Sequence, residues 1–147
     1  MKKILIVYYS KTGNTKKVAE KISKILKADI DEIVAEGKHM PFQQKFKISY
    51  KKNPSDYDLV IVSTPVWAFN ITPAVKKYLI ENKNKIKKIA FFCTHSGMPR
   101  HVLFKMGKLS KEPIAVLDIK FNKFKQKVDS SYETKIKDFC EKIKWQT

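Results

Sequence analysis

Arginine is almost missing from this chain. Of its 31 lysines and arginines only Arg100 is an arginine, and the 14 aspartates and glutamates leave a formal charge of +17. Proteins that read base edges or grip phosphates in a fixed register draw on arginine's bidentate fork. The shortage therefore argues against nucleic-acid recognition, and no nucleic-acid motif set is present. Because the lysines are spread along the chain, they fit either a solvated charged surface or attraction to acidic partners. Cysteine is scarce too: Cys93 and Cys140 form neither a CxxC pair nor a Cys/His cluster, which excludes a disulfide framework and a structural zinc. Acidic residues are few near the strand-end loops described below, so a metal site is not expected there. His39 and His101 stand apart from any carboxylate pair, and no hydrolytic centre is suggested. No run approaches the roughly 18 apolar residues of a membrane span. The opening MKKILIVYYS is too short in its apolar part for a signal peptide and lacks a small-residue cleavage site. It reads as the first strand of a cytoplasmic protein.

What is present is a set of short, nearly continuous apolar runs rich in β-branched residues: KILIVYY (3–9), DLVIVST (58–64), KIAFFCT (88–94) and PIAVLDI (113–119). Strands buried on both faces of a parallel sheet have this pattern. A fifth run, ADIDEIV (28–34), alternates and suits a sheet edge. Helical patterns lie between them. In NTKKVAEKISKIL, Val18, Ile22, Ile25 and Leu26 share one face. TPAVKKYLIEN turns Val75, Tyr78 and Leu79 inward, with Thr72 as N-cap and Pro73 at the first helical position. PRHVLFKMGKL and DSSYETKIKDFCEKI supply two more helices. At 147 residues the expectation is one α/β domain, residues 1–147, with a single doubly wound five-stranded parallel sheet of order 2-1-3-4-5. Residues 35–56 stand where a second helix belongs. They hold Pro41, Phe42, Phe46 and Tyr50 without clear periodicity, and a loop of that length is uncommon in a compact domain.

In such a sheet, ligands sit beyond the carboxyl ends of the strands where the strand order reverses. Strand one ends at Tyr9 and Ser10, followed by Lys11, Thr12, Gly13, Asn14, Thr15 and a helix. A helix N-terminus offers unpaired N–H groups and partial positive charge. Gly13 allows close backbone approach, and the Ser10, Thr12 and Thr15 hydroxyls can donate to phosphate oxygens. The loop therefore reads as a cradle for a terminal phosphate monoester. Both the G-x-x-x-x-G-K-[ST] and the G-x-G-x-x-G spacings are absent.

The string Ser10-Lys11-Thr12-Gly13-Asn14-Thr15 resembles the flavodoxin phosphate loop, [ST]-x-T-G-x-T, at every specified position. With the ends of strands three and four, the resemblance spans essentially the whole chain, and short-chain flavodoxins look most similar. It implies a flavodoxin-like fold, FMN as cofactor and electron transfer to redox partner proteins; that such partners are acidic is read from the basic surface and not from the family. By the same resemblance Thr64, Pro65, Val66, Trp67, Ala68, Phe69 and Asn70 form the loop on the inner face of the flavin ring, with Trp67 or Phe69 stacking on it; core packing is the other reading of Trp67. Thr94, His95, Ser96 and Gly97 fall on the second flavin loop, His95 standing where an aromatic is usual. Beside the flavin, His95 could couple proton uptake to reduction; as a solvated loop residue it would have no role. Two departures stand out. Ala68 occupies a position where flavodoxins commonly have a glycine that lets the peptide flip on reduction. The surface is basic where the family's is usually acidic, which favours an anionic reduced flavin and changes which partners dock.

Other chemistries fit less well. A low-molecular-weight phosphatase needs C-x5-R, and Arg100 lies one residue too far from Cys93; Cys93 reads as a small buried residue. A receiver domain needs an aspartate where Ser63 and Thr64 stand. An FMN-dependent NAD(P)H or quinone-type reductase acting on small-molecule acceptors remains open, with loop 35–56 as a pocket wall. So does a binding module working through its basic surface on nucleic acid or an acidic protein.

Overall fold

The computed structural model describes residues 2–11, 13–36, 46–67, 70–97, 99–121 and 132–146. The chain runs through β1 (Ile4–Tyr8), α1 (Asn14–Leu26), β2 (Asp29–Glu32), β3 (Val34–Glu36) and β4 (Lys47–Ser49). It continues through β5 (Leu59–Trp67), β6 (Asn70–Ile71), α2 (Pro73–Asn82), β7 (Ile89–His95), α3 (Pro99–Leu109), β8 (Val116–Lys120) and α4 (Tyr132–Gln146). The main sheet has the order β2-β1-β5-β7-β8, all pairs parallel. In terms of those five strands this is the expected 2-1-3-4-5.

Alternation along each strand divides the core in two. Ile4, Ile6, Leu59, Ile61, Ala90 and Phe92 face α1 and α4, packing with Val18, Ile22, Phe139 and Ile143. Leu5, Val7, Val60, Val62, Ile89 and Phe91 face α2 and α3, packing with Val75, Tyr78, Val102 and Met106. The central strands are apolar at consecutive positions because both of their faces are covered. In α1 the buried set is Thr15, Val18, Ala19 and Ile22. Ile25, expected on this face, is 39% exposed, since the 3.6-residue period has carried the packed stripe past it.

In the segment 35–56 the described residues, 35–36 and 46–56, depart from the expectation of a loop. Val34–Glu36 and Lys47–Ser49 pair antiparallel as a two-stranded ribbon, and Pro54–Asp56 form a single 3-10 turn; Pro41 and Phe42 lie outside the described residues. The ribbon packs on α2. Phe46 is buried in the second core and Tyr50 packs against it, with the Tyr50 ring edge-on to Tyr78 at 4.8 Å. These two aromatics complete the core. The carboxylate of Asp31, itself buried, accepts the backbone N–H of Lys51 on both oxygens (3.1 and 2.9 Å) and that of Lys52 at 2.7 Å. Charge-assisted bonds of this kind are stronger than neutral ones. They hold the exit of the ribbon to β2.

Candidate functional site

The strand order reverses between β1 and β5. From the carboxyl end of β1 the chain turns into α1 through Gly13, which caps the helix with φ 91° and ψ −7°. Glycine adopts this conformation without strain, and most side chains do not. Ser10 Oγ accepts the Gly13 N–H at 2.9 Å, closing the turn. Among the described residues no side chain caps α1, and no acid stands in its first turn, so no acid offsets the helix dipole there. Thr12 lies outside the described residues, as do Ala68 and Phe69.

The two strands beside the turn bring further groups to the same edge. Thr15 is buried at the start of α1, and its hydroxyl lies 2.8 Å from that of Thr94 in β7, joining two segments that are far apart in the chain. Trp67 ends β5, where its ring and that of Tyr9 meet in a T-shaped pair with centroids 5.6 Å apart. Lys11 Nζ lies 5.8 Å from the Trp67 ring centroid, in cation–π range. Burial raises the Tyr9 phenol above its ordinary value, so Tyr9 is neutral beside the indole.

The segment expected as a loop from Thr64 to Asn70 is largely strand. β5 runs on to Trp67 and folds back through β6, pairing Val66 with Ile71 and Trp67 with Asn70. Pro65 obscures this in sequence, because proline usually interrupts a central strand. Thr64 and Thr72 bridge the base of this corner through their hydroxyls at 3.1 Å. Thr72 thus sits at the N-cap of α2 but makes no side-chain cap bond to it. Asn70 Oδ1 accepts from the backbone of Ile71 at 2.9 Å and from Lys105 Nζ at 3.3 Å.

His95 is not a solvated loop residue. It ends β7, is 8% exposed, and its Nε2 lies 2.9 Å from Asp118 Oδ1. Asp118 is a site residue the sequence reading missed; the β7–β8 register that pairs Cys93 with Asp118 brings it close, and nothing local signals that register. The Nδ1 of His95 is buried without a protein partner, while Ser96 and Gly97 follow it at the surface edge. Cys93 is fully buried, with its thiol pushed up to about 12, first by burial and then by the charge of Asp118. It is therefore no nucleophile at neutral pH. Among the described residues no group of three His, Cys, Asp or Glu side chains could hold a metal ion, and no helix is long and apolar enough to cross a membrane.

Fold and site together define an open doubly wound α/β protein whose switch point suits an anionic ligand end beside an aromatic platform. The comparisons carry this further. The chain matches the model of the flavodoxin domain over residues 5–146, and it belongs to that family. Among solved structures it is similar to a flavoprotein from Lactobacillus acidophilus in complex with FMN, at 23% identity over 92% of this chain and 99% of that one, with a TM-score of 0.69. Flavodoxin 2 from Bacillus cereus aligns over 99% of both chains at 17% identity and a TM-score of 0.69. An archaeal flavodoxin aligns over 97% of this chain and 99% of its own at 18% identity and a TM-score of 0.59. No curated protein matches this chain.

Proposed function

We propose that this chain binds FMN at the switch point and carries electrons on it between partner proteins, as a single cytoplasmic domain. The observation that carries the reading is the N-terminus of α1, which has no side-chain cap among the described residues, no acid in its first turn and entry through a left-handed glycine. A helix start left open in this way is suited to a phosphate monoester. The flavin supplies the electron chemistry when bound, and the protein supplies binding, orientation and electrostatics.

Within this reading, Ser10 accepts from Gly13 and keeps its own proton for a phosphate oxygen. Thr12 completes the loop by its place in the motif. With Thr94 as donor to Thr15, the Thr15 proton is also free for the phosphate. Lys11 and Asn14 flank the cradle. Trp67, braced by Tyr9, offers a flat face to the flavin ring, with Thr64, Pro65, Val66, Ala68, Phe69 and Asn70 shaping the corner around it. Ser96 and Gly97 line the opposite loop, and His95, pinned by Asp118, leaves one ring nitrogen for the pyrimidine edge. The fate of Phe46 and Tyr50 favours the carrier over a reductase, since both are spent on packing against the α2 side. The two buried, free cysteines suit a reducing compartment.

The test is an absorption spectrum of the purified chain, followed by FMN titration of the wild type and of a Thr12→Val, Thr15→Val variant. Oxidised-flavin bands with affinity lost in the variant are expected. A chain that retains no FMN at any concentration overturns the reading. NAD(P)H-driven turnover of a quinone by the isolated protein would make it a reductase instead.

A further inference from the structure

The helix α3 contains no acid: its sequence is PRHVLFKMGKL. Val102 and Met106 are buried against the sheet, and the opposite face carries Arg100, Phe104 and Lys108 one turn apart, with His101 and Lys105 beside them. Phe104 is 64% exposed, and Lys108 Nζ lies 5.3 Å from its ring centroid. A single exposed apolar residue is ordinary. An exposed aromatic ring with one cation over it and others a turn away on an acid-free helix, next to the switch point, is a patterned surface.

That surface is continuous with the switch point. Lys105 donates to Asn70, Asn70 pairs with Trp67 across the β5–β6 corner, and Lys11 stands over Trp67. The first turns of α1, α2 and α3 all lack acids, so nothing there offsets the positive helix ends. The edge that would carry the flavin is therefore cationic from Lys11 through Lys105 to Lys108.

We propose that this face of α3 docks an acidic redox partner protein, with Phe104 entering an apolar pocket on the partner and the surrounding cations setting approach and orientation. The proposal rests on the reading of the chain as an electron carrier. A central aromatic within a polar rim is the usual anatomy of a protein interface, and complementary charge chiefly speeds and orients association. A nucleic-acid duplex would use the lysines and leave Phe104 in water. It would also find a single arginine fork on this face, Arg100, for the base edges that arginines read.

The test is a heteronuclear NMR titration of the FMN-loaded chain with a glutamate-rich peptide carrying one central leucine. Parallel titrations use the same peptide with alanine at that place, a DNA duplex and phosphatidylserine vesicles. The first resonances to move should be those of residues 100–108 and Asn70. The leucine peptide should bind about threefold or more tighter than the alanine peptide, and Phe104→Ser should erase that difference without changing the melting temperature. A Lys105→Gln, Lys108→Gln variant should lose about tenfold in affinity at low salt, the loss fading as salt is added. Shifts centred elsewhere, equal binding of the two peptides, or tighter binding of duplex or vesicles would overturn the proposal. Flavin absorbance in the same samples separates the two readings: a chain that sheds FMN yet shows the α3 shifts refutes the electron carrier and keeps the docking face.

Discussion

Gly13→Ala perturbs the entry to α1 with little else disturbed. The residue has φ 91°, and a Cβ placed on it meets nothing within 4 Å. Clash is thereby excluded, and the cost is conformational. An L-residue held in the left-handed region costs about 1–2 kcal/mol. Alanine recovers about 0.5–1 kcal/mol of this by narrowing the unfolded ensemble. The net loss should be about 1 kcal/mol, which for a chain of this size lowers the melting temperature by roughly 2–4 °C. Thermal denaturation followed by far-ultraviolet circular dichroism measures it. Gly13→Asn should recover most of the stability, because asparagine visits the left-handed region at little cost. FMN titration of the same two variants separates shape from proximity. If a phosphate comes close to the Gly13 backbone, asparagine restores the melting temperature and not the affinity. An alanine variant that melts with the wild type, or that loses several kcal/mol, would refute the conformational account. An asparagine variant that binds FMN as well as glycine does would refute the close approach.

Three further outcomes follow from buried groups. Thr15→Val or Thr94→Val alone strands a buried hydroxyl and should cost about 1–3 kcal/mol, whereas the double variant should be far less destabilised than the sum; urea denaturation giving additive losses would show that the two hydroxyls do not pair. Tyr78→Phe should stabilise the fold by about 1 kcal/mol, since the Tyr78 hydroxyl is buried with no protein partner and its desolvation is uncompensated; a clear loss of stability would mean the hydroxyl is satisfied. The Cys93 thiol and the Tyr57 phenol are both pushed up to about 12, from 9.0 and 10.0, chiefly by burial. Both are neutral acids favoured in the folded state, so the stability they contribute is full below their unfolded pKa values and is lost as pH rises towards about 12. Denaturant midpoints should be level near neutrality and fall on the alkaline side, and a rise there would contradict the assignment.

The sheet was legible in the sequence because its strands are covered on both faces. Consecutive apolar residues at Ile4 to Tyr8 or Leu59 to Val62 admit few other structures, and short connections then leave one topology. The strand-to-helix turn was legible because it is local: a glycine among hydroxyls at that corner marks a tight entry to α1. What escaped was set by partners distant in sequence. The ribbon of Val34–Glu36 and Lys47–Ser49 is too short to show a period, and it exists because Phe46 and Tyr50 find α2. The extension of β5 through Pro65 depends on β6 folding back to meet it. His95 could be given no partner from the sequence, since Asp118 reaches it only through the β7–β8 register. Ile25 satisfied the helical period and still came out exposed, because the packed stripe of α1 is centred on the Ala19 side of that face.

The clamp between Asp31 and the backbone of Lys51 and Lys52 bears on where this chain can take added length. Chain leaving Glu36 and returning at Lys47 passes through a pair of strands already closed on each other, and the clamp anchors the return to the sheet edge. Lengthening the segment between them therefore adds only loop-closure entropy, about 0.6 kcal/mol for each doubling. That makes it a port: new recognition sequence can be grafted there by evolution or by design, while the cofactor edge on the far side of β1 keeps its geometry.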